Sequence, residues 1–209
     1  MKLQIALYVT TYVMNTYQKN YKVQKRIVTR KNGEKVLLRS METSDKSKLA
    51  EFLSKLSDKT RYFYQLDDYG DKSAEHLCSS LSNPEKKHFI IENNAKDIIA
   101  LVKFSLDLPE KDRVRFAAYG IELKPGETSR CGTCVADAYQ SSGIGSITLE
   151  QVINSSIELN QSIVMLSGGT VTENKKAVNT VQKFSFEIVG KYIDSYAQER
   201  LDMLYIIKE

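Results

Sequence analysis

The chain has 209 residues, of which 42% are hydrophobic and 27% are charged, and its formal net charge is +4. These values are typical of one soluble globular domain with a sizeable core, or one domain with an appendage. The apolar run over residues 3–14 is too short for a membrane span, which needs about 20 apolar residues, and it lacks the features of a secretory signal, so we expect a cytoplasmic protein without membrane partners.

The cysteine count argues against a secreted disulfide framework, because Cys78, Cys131 and Cys134 are an odd number. Cys131 and Cys134 have the C-x-x-C spacing of zinc and redox sites. A zinc site needs a second ligand pair, however, and His76 and His88 are not at ligand spacing from each other or from these thiols. A strand would also direct residues three apart to opposite faces. We therefore expect no metal.

Positive charge is concentrated at the start of the chain. Residues 1–39 carry nine Lys or Arg against Glu34 alone, a net charge of +8. Asn32-Gly33 between two β-prone runs predicts a β-hairpin over residues 23–39. The basic segment is either a solvated strand surface or a patch for nucleic acid, and the lack of an aromatic platform favours the solvated surface. Nucleic-acid binding through residues 19–39 is kept only as an accessory role.

Two amphipathic helices are predicted after the hairpin. The first begins at Thr43 or Ser44 as N-cap with Asp45 in its first turn. Its apolar face is spaced i, i+3, i+4, i+7: Leu49, Phe52, Leu53 and Leu56. The second ends at Asn83-Pro84. Its apolar face consists of Ala74, Leu77, Cys78 and Leu81.

The pattern then changes to short β-branched runs separated by turn residues, which predicts a block of strands. The runs are HFIIE (88–92), IIALVKFSL (98–106), RVRFAAYGIEL (113–123) and TCVADAY (133–139). A glycine-containing loop leads into a helix whose apolar stripe is Leu149, Val152, Ile153 and Ile157. A strand over 162–166, a helix over 174–184 with Ala177, Val178 and Val181 inward, and two final strands complete one α+β domain over residues 23–209, preceded by an extension of uncertain structure over residues 1–22.

The loop before that helix suggests an anion site. A helix N-terminus exposes backbone N–H groups and the positive end of the helix dipole. Gly143 and Gly145 permit close approach, so a phosphate could contact the amides of residues 142–146. A P-loop is excluded because no Lys-Ser/Thr follows, and a dinucleotide-binding turn is disfavoured because G-x-G-x-x-G is not completed. By itself the glycine turn is a weak signal.

Three segments resemble one known family. Gln140-Ser-Ser-Gly143-Ile-Gly145 resembles the Q/R-x-x-G-x-G/A signature of the GNAT superfamily of N-acetyltransferases, where the fourth strand of that family enters its third helix. Residues 36–63 resemble the family's opening strand and helix. Residues 172–190 resemble its E-N-x-x-A-x-x-x-Y-x-K-x-G-F segment. The similarity spans about residues 23–209 and lies in the order and spacing of the motifs.

The resemblance implies a GNAT-like mixed, twisted sheet with flanking helices and two parallel strands that splay around acetyl-coenzyme A. It implies that a strand edge binds the pantetheine, with Asn174 contacting the same arm, and that a loop holds the pyrophosphate. The edge is Thr133, Cys134 and Val135. The loop is Ser141, Ser142, Gly143, Ile144, Gly145 and Ser146. The implied chemistry is direct attack of a neutral amine on the thioester, with a backbone N–H near Val135 polarising the carbonyl.

The sequence departs from the family at the acid and base positions. Val181 stands where many members carry a tyrosine acid, and Gly169 and Arg130 stand where some members carry a glutamate base. The loop lacks the usual Arg or Lys, so Lys175 or Lys176 would assist the amides with the pyrophosphate. Glu122 is a weak candidate base acting through water, as is Glu127, although a solvated carboxylate is the simpler interpretation of both.

Two functional classes follow. The first is an N-acetyltransferase that acts on a primary amine of a small molecule, a peptide or a protein lysine. The second is an acyl-coenzyme A-binding regulatory domain with little or no turnover, for which the missing tyrosine is the motivating feature. The sequence leaves the acceptor and the formation of a homodimer open.

Overall fold

The structure, a computed structural model, describes residue 18 and residues 20–208. Its strands are β1 (Arg26–Thr29), β2 (Lys35–Ser40), β3 (Phe89–Glu92), β4 (Ile98–Ser105), β5 (Thr128–Val135), β6 (Ile163–Leu166), β7 (Thr170–Val171), β8 (Glu187–Ile193) and β9 (Glu199–Ile206). Its helices are α1 (Lys46–Ser54), α2 (Asp58–Phe63), α3 (Asp71–Ser79), α4 (Glu110–Ala117), α5 (Ile144–Glu158) and α6 (Lys175–Gln182). Short 3-10 turns lie at Thr43–Asp45, Ser80–Ser82 and Asp137–Tyr139.

The strands form a mixed sheet in the order β1-β2-β3-β4-β5-β6-β9-β7, and β8 pairs with β9. Strands β1 to β5 are antiparallel neighbours, whereas β5 and β6 are parallel. The parallel pair arises because α5 crosses over between its two strands, as parallel connections require. The mixed sheet with flanking helices confirms the predicted α+β class.

The predicted hairpin is present. β1 and β2 pair antiparallel from Arg26↔Leu38 to Thr29↔Lys35. Gly33 has a φ of 84° in the connecting turn, a conformation that favours glycine. The backbone N–H of Arg30 donates to the carbonyl of Glu34 and closes the loop. The Asn32-Gly33 signal therefore located the turn correctly.

Helices cover both faces of the sheet. On one face, α5 and α6 bury Leu149, Val152, Val178 and Val181 against the sheet. On the other, α1 and α3 bury a second cluster. Cys131 belongs to the first cluster and Cys134 to the second, which confirms that the two thiols point to opposite faces.

The prediction of a strand over residues 113–123 was wrong, because residues 110–117 form the helix α4. The alternation in Arg-Val-Arg-Phe suggested a period of two residues. Pro109, however, has extended backbone angles immediately before the helix, and Glu110 and Asp112 lie in the first turn, where acidic groups stabilise a helix dipole. Phe116 is fully buried while Val114 is 61% exposed, so these two apolar residues do not share the buried face that the strand pattern predicted.

The helix boundaries needed further corrections. Neither Thr43 nor Ser44 is the N-cap: the turn starts after Glu42, whose backbone N–H donates to Asp45 at 2.8 Å. Ile157 is exposed, and α5 instead buries small polar side chains such as Ser155 and Ser156 beside its apolar ones. The run over 133–139 leaves the sheet after Val135. Periodicity did not identify α2 and β7, which are only six and two residues long.

The predicted extension over residues 1–22 lies mostly outside the described residues. Tyr21, at its end, is buried; its hydroxyl donates to the carboxylate of Glu158 at 2.8 Å and lies 2.9 Å from the hydroxyl oxygen of Ser155. Residue 21 is therefore attached to α5. Across residue 18 and residues 20–208, none of the helices has the length and apolar character needed to cross a bilayer.

Candidate active site

The two parallel strands separate at the centre of the sheet. Their pairing runs from Thr128↔Ile163 to Cys131↔Leu166, and Ser167 then donates its backbone N–H to the carbonyl of Cys131 at 2.7 Å. β5 continues to Val135 while paired with β4 on its other side. Because alternate residues of a strand direct their N–H and C=O groups to the same side, Thr133 and Val135 present theirs to the gap. Such an edge suits an extended ligand that adds as a strand.

A cavity of about 690 Å³ occupies this gap. Most residues predicted to bind the cofactor line it: Thr133, Cys134, Val135, Ser141, Gly143, Gly145, Ser146 and Asn174. Ser142 and Ile144 are not among the lining residues, and the side chain of Ile144 is fully buried in the core. Glu122 and Glu127 are exposed and also lie outside the lining. The structure therefore brings the predicted cofactor residues together but gives the two glutamates no place in the cavity.

The loop that ends at Gly143 starts α5 beside the cavity. Gly143 has a φ of 90° and precedes Ile144, the first residue of the helix. The first amides of a helix have no intrahelical acceptor, so they are available to an anion. Lys175 and Lys176 line the same cavity at the start of α6. Both features lie at the end of the cavity where the sequence predicted the pyrophosphate, and that assignment stays a prediction.

Gln140 connects two walls of the cavity, a role that its position in the motif did not reveal. Its Nε2 donates to the carbonyl of Val135 at 3.2 Å and to the hydroxyl of Thr60 at 2.9 Å. Thr60 lies in α2, which begins at Asp58. The motif glutamine therefore holds the end of β5 against α2, and it already engages the carbonyl of Val135.

A further wall of the cavity comes from two distant segments. Residues 59–65 and residues 192–200 both contribute lining side chains. Arg200 joins them, because its guanidinium donates to Gln65 at 2.6 Å and also forms an ion pair with Asp194. A third bond from Arg200 reaches the carbonyl of Gly168 at 3.0 Å. No sequence motif indicated this wall, which tertiary contacts alone assemble.

Lys103 and Tyr64 lie together in the same cavity. The Nζ atom of Lys103 is 4.6 Å from the centroid of the Tyr64 ring, a cation–π distance. Burial lowers the pKa of Lys103 and raises the pKa of Tyr64 well above its usual value. Sequence reasoning missed both residues because each sits in an otherwise ordinary apolar pattern.

The positions where relatives carry acids or bases offer none here. Val181 is buried and lines the cavity with an apolar side chain. Gly169 has a φ of 63°, and a Cβ there would lie 2.8 Å from the carbonyl oxygen of Leu201. Arg130 is engaged with Asp107 at 3.1 Å and with Asp112 at 3.2 Å. None of the three positions therefore offers a general acid or base to the cavity.

The cysteines are unsuited to nucleophilic chemistry. Burial raises the pKa of Cys131 and the pKa of Cys134 to about 12, so both are neutral thiols at physiological pH. Both thiols are buried and both residues line the cavity, although Cys131 packs in the first core cluster and Cys134 in the second. Within residues 20–208, no group of three or more His, Cys, Asp and Glu side chains could hold a metal ion.

Solved structures share this architecture. The GNAT domain of S. lividans PAT matches with a TM-score of 0.68 at 14% identity, covering 88% of this chain and 97% of that one. A GNAT acetyltransferase from Streptococcus pneumoniae matches with a TM-score of 0.62 at 22% identity, covering 83% and 99%. An aminoglycoside acetyltransferase in complex with coenzyme A matches with a TM-score of 0.63 at 18% identity, covering 82% and 94%.

A family model matches the sequence as well. The model of the acetyltransferase (GNAT) family covers residues 50–186, which is more than half of the chain. A comparison with curated proteins gives no match. The family model, the mixed sheet with its splayed parallel strands and the solved neighbours agree, and the chain belongs to the GNAT family of N-acetyltransferases, which are acyltransferases.

Proposed function

We propose that this protein transfers the acetyl group of acetyl-coenzyme A to a primary amine. The observation that carries the proposal is the gap between β5 and β6, where the edge of Thr133 and Val135 faces a cavity of about 690 Å³. GNAT membership makes acetyl-coenzyme A the donor to test first. The cavity holds the donor and leaves a second wall, residues 59–65 and 192–200, for the acceptor.

The cofactor fits this cavity in one direction. Its pyrophosphate is placed at the N-terminus of α5, where Gly143 leaves the first amides open and the helix dipole is positive. Its pantetheine arm then runs along the edge of Val135 and Thr133. Asn174 caps α6 by accepting the N–H of Ala177 at 3.2 Å, which leaves its amide NH₂ to donate to the arm.

The transfer itself uses little acid or base catalysis from the protein. The lone pair of a neutral amine attacks the thioester carbonyl carbon, the C–S bond breaks, and coenzyme A leaves as a thiolate. The proton that the acylated nitrogen loses passes through water to this thiolate. A backbone N–H on the edge of β5, at the acyl end of the arm, stabilises the oxyanion. Because Gly169 and Arg130 supply no base to deprotonate the amine, the rate depends on the fraction of acceptor that is unprotonated.

Thermal unfolding tests cofactor binding. Acetyl-coenzyme A should raise the Tm, since a ligand that binds only the folded state stabilises it by mass action. Gly143→Asp should abolish that rise by placing a carboxylate against the phosphates. Gly126→Asp is the matched control, because Gly126 also has a positive φ, 81°, with open space around it and lies outside the cavity. An unchanged Tm of the wild-type protein at millimolar acetyl-coenzyme A would contradict the proposal.

A regulatory acyl-coenzyme A-binding role is the second candidate, and the apolar side chain of Val181 in the cavity is the observation that favours it. Amine-dependent release of coenzyme A, followed with a thiol reagent, separates the two candidates. The enzyme should release thiol at a rate that rises with pH as the acceptor amines lose protons. Tight cofactor binding without amine-dependent release, across small amines, peptides and lysine-containing proteins, would instead support the regulatory role.

A further inference from the structure

Lys103 carries a charge that no acidic side chain balances in the described part of the chain. It lies on β4 opposite Gly132 of β5 and lines the cavity. The ion pairs among the described residues do not include it. Burial lowers the pKa of Lys103, and the nearby cations Arg130 and Lys86 lower it further.

The surroundings of Lys103 raise the free-energy cost of keeping its ammonium charged. A partly desolvated cation without a counter-ion is unfavourable, and the Tyr64 ring at 4.6 Å compensates only in part. Gly132 has no side chain on the cavity face, where a Cβ would lie 3.8 Å from the Cε of Lys103. An incoming ligand therefore reaches the amine without obstruction. An anion placed there would supply the missing partner.

The charges around the whole cavity agree with an anionic ligand. Its charged lining residues are Lys59, Lys103, Lys175, Lys176, Arg200, Glu173 and Asp194. Asp194 is already paired with Arg200, and Glu173 is exposed near Tyr62, with a distance of 3.4 Å between the two side chains. With Lys175 and Lys176 assigned to the cofactor phosphates, Lys59, Lys103 and Arg200 still outnumber the two carboxylates, an arrangement that favours acidic acceptors over polycationic ones.

Lys103 is separated from the lysines that begin α6. Lys175 and Lys176 follow Asn174 at the start of α6, on the side where we place the cofactor phosphates. Lys103 instead faces Gly132, beyond Thr133 along the edge that the pantetheine arm follows. Its ammonium therefore lies towards the acyl end of the cofactor, where the acceptor must arrive.

We propose that Lys103 binds a carboxylate of the acceptor, so that the substrate class is a small amine that carries an acidic group. The inference rests on the proposed acetyl transfer. Tyr64 positions the ammonium through its ring, and the carboxylate supplies the counter-ion that Lys103 lacks. Spermidine-like and aminoglycoside-like acceptors, which carry several positive charges, are disfavoured.

The test compares matched acceptors in the thiol-release assay. Glycine, β-alanine and glutamate are compared with their amides and with spermidine. The carboxylate acceptors should react, and amidation of the carboxylate should raise the KM by about tenfold or more. Lys103→Met should raise the KM for the carboxylate acceptors by a similar factor with a smaller effect on kcat, while Lys103→Arg should restore part of the loss. Lys111→Met, on the exposed face of α4, is the control.

A second measurement needs no turnover. With coenzyme A bound, the same carboxylate amines should raise the Tm of the wild-type protein further but not that of the Lys103→Met protein. Equal use of amides or spermidine, an unchanged KM in Lys103→Met, or no response to any carboxylate amine would each overturn the inference. In all three cases a preserved Tm shift with acetyl-coenzyme A would leave the cofactor assignment standing, whereas loss of that shift would remove both.

Discussion

The carboxylate of Asp137 accepts the backbone N–H of Ser57 at 2.9 Å and its hydroxyl at 2.5 Å. Ser57 is the N-cap of α2, and Thr60 in the same helix also donates to Asp137 at 2.7 Å. Asp137 follows β5 and precedes the glycine loop. The acceptor wall and the cofactor loop are therefore connected by one carboxylate.

Replacement of Asp137 should loosen this connection. Asp137→Ala is expected to lower the free energy of unfolding by about 1 kcal/mol, because three hydrogen bonds are lost at a solvent-exposed site. Urea unfolding measures the change. Asp58→Ala, at an exposed position in the first turn of the same helix, controls for loss of a negative charge near the helix dipole. Equal losses in the two variants would contradict the bridging role.

The same carboxylate gives a direction for pH dependence. Burial acts to raise the pKa of Asp137, but the hydrogen bonds from Ser57 and Thr60 outweigh it and hold the pKa below its usual value. A carboxyl group with a lowered folded pKa stabilises the protein above its unfolded pKa, about 3.9, and loses that contribution as the pH falls through the folded value. The stability difference between wild type and Asp137→Ala should therefore shrink below about pH 4.

Arg39 should contribute more to stability than any exposed ion pair. Its guanidinium bonds Asp45 at 2.7 and 2.8 Å and Glu92 at 2.8 and 3.1 Å, and both carboxylates are buried. Arg39→Met would remove this cation from beside both buried carboxylates. We expect it to lower the free energy of unfolding by about 3 kcal/mol. Arg113→Met breaks an exposed pair with Glu110 and should cost less than about 0.5 kcal/mol. Urea unfolding of the two variants compares these values, and similar losses would contradict the prediction.

The buried thiols should be unreactive in the folded protein. Because burial raises the pKa of Cys131 and the pKa of Cys134 to about 12, neither forms appreciable thiolate at pH 8. Iodoacetamide at pH 8 should leave both unmodified, as read by mass spectrometry of peptides, and should modify both in urea. Rapid alkylation of Cys134 in the native state would show that the cavity solvates it.

The basic hairpin should bind nucleic acid only weakly. Arg30 is engaged within the protein, since it forms an ion pair with Glu34 and its guanidinium lies 5.4 Å from the centroid of the Tyr139 ring. Affinity for DNA or RNA should fall steeply between low and physiological salt, because salt ions compete with the few contacts that the hairpin makes to phosphates. Fluorescence anisotropy over a salt series measures this. Nanomolar binding at physiological salt that is lost in a Lys25→Gln, Arg26→Gln, Lys31→Gln variant would overturn the solvated-surface interpretation.

The sequence predicted the elements whose signals are local. Asn32-Gly33 placed the hairpin turn, and the stripe of Leu149 and Val152 placed α5, because turn chemistry and long periodicity depend on neighbouring residues. It failed for α4, where four alternating residues mimicked a strand, and for α2, which is shorter than any reliable periodic window. Short elements take their form from tertiary packing.

The same distinction holds for the candidate site. The cofactor half follows a contiguous motif, Gln140 to Gly145, so sequence resemblance could indicate it. The other half could not be predicted, because the contact of Arg200 with Gln65 joins residues 135 positions apart. Lys103 gained its unusual environment only when β4 paired with β5, and no local pattern encodes that pairing.

Gly169 restricts which catalytic changes are mutationally accessible to this chain. Any other residue there must adopt a φ near 63° and must also move the carbonyl of Leu201, which would lie 2.8 Å from the new Cβ. A single codon change to glutamate would therefore displace β7 from β9 before it supplied a base. Position 181 already carries a branched side chain on α6 and has no such backbone constraint. Laboratory evolution towards faster transfer should therefore find its first gains at position 181 and leave glycine at position 169.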